Sequence, residues 1–118
     1  YQKLRKKSSG ITWTRLENLS LLGTPDLLGY NHYGHFFTVE LKVTRGNKLK
    51  FSPHQIAFHK THLKNTFIIA EALGPRSPKL VHMFRGSRIS ELEACGLKLE
   101  PLARGLEACS LHLLNIGA

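Results

Sequence analysis

Residues 36 to 55 read FFTVELKVTRGNKLKFSPHQ, and the fold turns on this stretch. Its first eight residues alternate. Phe37, Val39, Leu41 and Val43 point one way, to the core, and Phe36, Thr38, Glu40 and Lys42 the other, the period-two pattern of a strand with one buried face. Aromatic and β-branched side chains suit that reading. A basic loop follows, and Ser52-Pro53-His54-Gln55 then announces a helix, with Ser at the N-cap, Pro at the first helical position and Gln at the third. The helix is expected to run to about Asn65. Residues 66 to 73, with Phe67, Ile68 and Ile69, then form a buried strand. Strand, helix and strand in succession make the chain α/β.

Working outward, residues 26 to 30 are short and apolar, and Asn31-His32-Tyr33-Gly34 has turn chemistry, so they pair with residues 36 to 43 as a hairpin. Residues 11 to 19 fit two patterns. Ile11, Trp13 and Arg15 alternate as in a strand, whereas Trp13, Leu16 and Leu19 would share a helix face. Residues 1 to 7 are a basic helix end or arm, broken off by Ser8-Ser9-Gly10. Downstream, residues 74 to 78 read as a turn, 79 to 84 as a strand and 86 to 95 as a helix stopping at Gly96, with a last helical stretch after Pro101. The expectation is a single domain over residues 1 to 118, with a central mixed β-sheet flanked by helices.

The net charge of +9 is uneven. Residues 1 to 70 contain eleven Lys and Arg against three carboxylates, Glu17, Asp26 and Glu40, whereas the remainder is nearly balanced. A basic front half attracts polyanions, and carboxylates held inside a positive field suit a divalent cation. Cys95 and Cys109 show no metal-ligand or disulfide spacing, and no secretory or membrane-spanning run is visible. The expected setting is cytoplasmic, that of the host if the chain is viral, with no membrane partner.

Phosphodiester hydrolysis needs an activated water, stabilisation of charge on the phosphate and help for the leaving oxygen. Asp26 ends a Gly-Thr-Pro turn and opens a strand, and Glu40 and Lys42 sit two apart on the adjacent strand. The hairpin brings the three to one edge. There Asp26, Glu40 and the Leu41 carbonyl can ligate Mg²⁺, while Lys42 orients the water or neutralises the phosphate.

These residues carry a resemblance. Arg15-x-Glu17-Asn18, Gly23-Thr24-Pro25-Asp26-Leu27-Leu28, Val39-Glu40-Leu41-Lys42-Val43 and Ser52-Pro53-His54-Gln55 together resemble the PD-(D/E)XK nucleases. The similarity is closest to the virus-type replication-repair nuclease (VRR-NUC) group, related to archaeal-type Holliday junction resolvases. It covers residues 11 to 70. It implies a restriction-endonuclease-like core and a metal-dependent DNA endonuclease, structure-selective for branched or junction DNA, in a phage-like replication or repair role. It further implies Asp26 and Glu40 as Mg²⁺ or Mn²⁺ ligands, Lys42 as catalytic lysine, Gln55 near the phosphate and Glu17 as an upstream acid of the site. Where family members often carry Gly near the end of the Gln helix, this chain has Asn65.

Other readings stand beside these. Gln55 at the third helical position also completes a capping box. Arg15 and Glu17 form either a surface pair or part of the site. Arg45, Lys48 and Lys50, with Lys60 and Lys64, are candidates for tracking phosphates, as is Arg15. His54, His59 and His62 are expected to meet solvent or phosphate rather than zinc. Trp13 and Tyr33 either stack on bases or pack in the core. One rival function is a catalytically silent nucleic-acid-binding module of the same fold. Another is a structural subunit assembling through its apolar tail, which is compatible with a nuclease homodimer.

Overall fold

Alternation across residues 36 to 44 builds the longest strand of a six-stranded sheet. The computed structural model describes residues 1–16, 23–73 and 80–118. In chain order the strands are β1 (Ile11–Arg15), β2 (Leu27–Asn31), β3 (Phe36–Thr44), β4 (Thr66–Ala72), β5 (Leu80–Arg85) and the short β6 (Ala103–Arg104). The helices are α1 (Gln2–Lys7), α2 (Pro53–Thr61), α3 (Ile89–Cys95) and α4 (Leu106–Leu114). The strands lie side by side in sequence order. Only β3 and β4 run parallel, because α2 carries the chain back between them, and the other pairs are antiparallel. The molecule is thus α/β, a mixed sheet with helices on both faces.

Each face of the sheet buries its own apolar layer. Phe37, Val39, Phe67, Ile69 and Met83 pack with Leu4 of α1 and Cys109 and Leu113 of α4. On the opposite face Ile68, Ala70 and Phe84 meet Ile89 and Leu92 of α3, Ile56 of α2, and Leu49 and Phe51 from the loop ahead of α2. The hairpin between β2 and β3 is closed by buried Asn31, whose Oδ1 accepts the Tyr33 and His35 N–H groups, each at 3.1 Å. Its Nδ2 donates to the carbonyls of Leu113 (3.0 Å) and Ile116 (2.9 Å), which satisfies carbonyl groups at the end of α4.

The structure decides between strand and helix at the start of the chain and shifts several boundaries. Residues 11 to 15 are a strand, not a helix, and Trp13 belongs to the core side, its ring edge-on to Phe37 and its Nε1–H donated to Ser8 Oγ at 3.1 Å. The opening residues form α1. α2 ends at Thr61 rather than Asn65. Asn65 takes φ 55°, a left-handed turn that Asn tolerates better than most residues. Val43, expected in the core, is 62% exposed. It lies beyond the last β2–β3 pair, Leu27↔Val39, and its β4 neighbour is Glu71, so no apolar layer closes over it. The turn expected at residues 74 to 78 lies outside the described residues. No helix among the described residues is long and apolar enough to cross a membrane.

Candidate active site

Three local constraints bring Asp26 to Glu40. The β1–β2 ladder is extended by the Leu16 N–H, which donates to the Asp26 carbonyl at 2.7 Å. Upstream, Gly23 has φ 78° and lies so close to the first turn of α2 that a Cβ would stand 2.5 Å from the His54 carbonyl oxygen. The Asp26 carboxylate then accepts the Leu41 N–H through Oδ2 at 2.8 Å. In an extended strand the N–H and C=O of one residue leave by the same edge. The Leu41 carbonyl therefore shares the edge that faces Asp26.

Glu40 is buried, 3% exposed, and its Oε1 finds no hydrogen-bond partner. Burial, then a hydrogen bond to Asp26 and the Asp26 charge, push its carboxyl up to about 8, while Lys42 and a hydrogen bond from Gln55 pull the other way. Two like acids turned on one another, one with an unsatisfied oxygen, form an unfavourable pair that a cation would relieve. Its all-oxygen donor set suits a hard divalent ion. Among the described residues no group of three or more His, Cys, Asp and Glu side chains could hold a metal. The third donor must come from backbone, such as the Leu41 carbonyl, or from water. Glu17, the candidate upstream acid, lies outside the described residues.

Lys42 and Gln55 meet across the β3–α2 junction. The Lys42 ammonium donates to Gln55 Oε1 at 3.2 Å and sits 4.9 Å from the centre of the Phe51 ring, a cation–π contact. Gln55 Oε1 also accepts the Ser52 N–H at 2.9 Å, and Ser52 Oγ accepts the Gln55 N–H at 3.1 Å, completing the capping box. The capping role expected of Gln55 is therefore present, and the same side chain reaches Lys42. One oxygen caps the helix and holds the lysine, and Gln55 lies near enough to Glu40 to pull its pKa down.

The basic candidates separate. Arg45, Lys48 and Lys50 are exposed on the loop that follows β3. That loop is pinned by the C-terminal half of the chain, through the Leu97 N–H to the Asn47 carbonyl (2.8 Å) and the Phe51 N–H to Glu93 Oε2 (3.1 Å). Lys60 and Lys64 are exposed at the far end of α2 and in the turn after it. Arg15 points to the opposite face, its guanidinium 5.0 Å from the centre of the Tyr1 ring.

The histidines need correction. His59 is fully buried, without a hydrogen-bond partner on either nitrogen, rather than meeting solvent or phosphate. His62 caps the end of α2 and stacks on Phe58 at 4.2 Å, while His54 is exposed. Sequence reasoning missed the Gly23–His54 contact, and it placed Phe36 on the face of Glu40 without giving a role to it or to Tyr30, both exposed there. The alternation that placed Glu40 also places Phe36. No protein-family model, curated protein or solved structure matches this chain.

Proposed function

We propose that the chain is a metal-dependent endonuclease of PD-(D/E)XK type, closest to the VRR-NUC group, with a restriction-endonuclease-like core and DNA as its substrate. The observation that carries this reading is the buried Glu40, its Oε1 unpartnered, set against Asp26 with Lys42 and Gln55 on the same face. A structural pair would place a cation or donor against that oxygen.

Asp26, Glu40 and the Leu41 carbonyl would hold Mg²⁺ or Mn²⁺, with Glu17 a further candidate. Such an ion supplies Lewis-acid polarisation of a phosphoryl oxygen and acidification of a water. The Leu41 N–H fixes the Asp26 rotamer. Gln55 and Phe51 keep the Lys42 ammonium beside the carboxylates, where it neutralises charge gathering on the phosphate and orients the attacking water. The basic loop supplies the field that brings the backbone in.

The test is a panel of end-labelled branched, duplex and single-stranded DNAs incubated with Mg²⁺ or Mn²⁺, with Lys42→Ala prepared in parallel. Cutting by the wild type and not by the variant, with branched DNA preferred, is the expected result. Equal cutting by both preparations, or none on any DNA, removes the assignment.

A further inference from the structure

Two aromatic rings stand uncovered on the face that carries the carboxylate pair. Tyr30 and Phe36 are register partners across β2 and β3, with ring centroids 4.5 Å apart and planes inclined at 43°. They are 39% and 60% exposed. Asp26 lies four residues before Tyr30 and Glu40 four after Phe36, so strand alternation sets all four on one side, the rings about 13 Å along the sheet from the acids. Exposed Thr12 and Thr14 on β1 continue this face. A single exposed ring is ordinary on a protein surface, but a pair in contact, aligned with a site, marks a place where something docks.

Charge selects the occupant. Between residues 23 and 70 the carboxylates are Asp26 and Glu40 alone, and every other charged side chain is Lys or Arg. The Asn65 carbonyl accepts the Thr38 N–H at 2.9 Å, so the turn bearing exposed Lys64 borders the aromatic end, and Lys42 stands at the other. A ligand with flat apolar faces and a regular negative backbone matches both features. A duplex keeps its base faces stacked inside, whereas an unpaired strand presents them.

We propose that Tyr30 and Phe36 form a stacking platform for unpaired bases, so that the site takes DNA with a single-stranded segment alongside the carboxylates. This inference rests on the nuclease reading. The bases lie on the two rings while the phosphates pass Lys64 and run on toward Lys42. Stacking of this kind tolerates any sequence, because every base has a π face.

The test measures binding by the whole chain in EDTA, where no cutting occurs, using fluorescein-labelled oligothymidylate and a blunt duplex of equal length. Replacing both rings by leucine (Tyr30→Leu with Phe36→Leu) keeps apolar area and removes the π faces. Single-strand affinity should fall at least about tenfold while duplex affinity stays within about twofold. Phe36→Trp should bind the single strand like the wild type, with its emission quenched on saturation. Unchanged single-strand binding in the leucine variant overturns the proposal, as does equal loss on both ligands or an unmoved Phe36→Trp emission. A wild-type dimer that the leucine substitutions dissociate also overturns it, assigning the face to a second copy. Since binding is read without metal, a wild type that stacks oligothymidylate but cuts no DNA with Mg²⁺ leaves the platform in place and defeats only the nuclease reading.

Discussion

Gly23 carries more of the site than its size suggests. Its φ of 78° and its contact with the His54 backbone leave no room for a Cβ, and the turn it forms delivers Asp26 three residues later. Gly23→Ala should destabilise the fold by about 1 to 3 kcal/mol in urea unfolding, because the backbone strain cannot relax without moving the turn off α2. Unchanged stability would mean that the turn is not seated there. Gln55 supports a sharper prediction. Gln55→Glu keeps an acceptor for the Ser52 N–H and for Lys42, so unfolding free energy should stay within about 1 kcal/mol of the wild type. It also removes the amide donor and adds a third negative charge beside Glu40, so single-turnover cleavage should fall at least about tenfold. Wild-type cleavage by this variant would reduce Gln55 to a helix cap. At this scale the sequence was informative. Asp26, Glu40, Lys42 and Gln55 were legible because strand parity and cap chemistry place them. Gly23 was legible as the start of the Gly-Thr-Pro turn, but its contact with the His54 backbone was not, because tertiary packing sets it.

Among the elements, α2 links the site to the core. Its N-terminus presents Gln55, and one turn later His59 faces inward, held neutral because burial, and secondarily the neighbouring His62, lower its pKa to about 4. An unfolded histidine titrates near 6.5, so below that pH the unfolded chain takes up the proton first and the contribution of His59 is lost as pH falls from about 6.5 to about 4. The same sign applies to His82 and His112, both lowered by burial. Glu40, raised to about 8, acts oppositely, favouring the fold as pH falls from about 8 to about 4.5. The His59 contribution is therefore read as a difference. Urea unfolding of wild type and of His59→Leu at about pH 7 and about pH 4.5 should show the wild type losing about 2 to 3 kcal/mol more than the variant. Parallel pH profiles would contradict the buried, neutral assignment. The hairpin, β3 and the start of α2 could be read from local pattern and cap residues. The end of α2 could not, since nothing local in residues 62 to 65 outweighs helix periodicity until Asn65 turns left-handed and the Thr66 hydroxyl bonds the His62 carbonyl at 2.7 Å.

Across the whole molecule the C-terminal half acts as a support for the basic front half. α3 and the residues after it anchor the 45–52 loop, a placement that no pattern in the loop itself discloses, because Gly96 closes on Asn47 only in the folded chain. With Arg45, Lys48 and Lys50 exposed on this anchored loop, metal-free DNA binding should weaken steeply with salt. Each of these cations replaced by alanine should flatten the logarithmic salt slope by about one unit if it contacts a phosphate. An unchanged slope in the triple variant would move the backbone-tracking surface elsewhere. The α/β class and mixed sheet followed from the order of the elements. The exposure of Val43 and the burial of His59 did not, since both depend on which neighbour covers which end of the sheet. The central claim, that Asp26, Glu40 and Lys42 perform metal-assisted phosphodiester hydrolysis, is tested most directly by single-turnover cleavage of labelled DNA with purified wild type, Asp26→Asn, Glu40→Gln and Lys42→Ala side by side in Mg²⁺ or Mn²⁺. The expected result is cutting by the wild type that EDTA abolishes and that each substitution lowers by several orders of magnitude, with fold and metal-free binding retained; metal-dependent cutting at the wild-type rate by Asp26→Asn would contradict it.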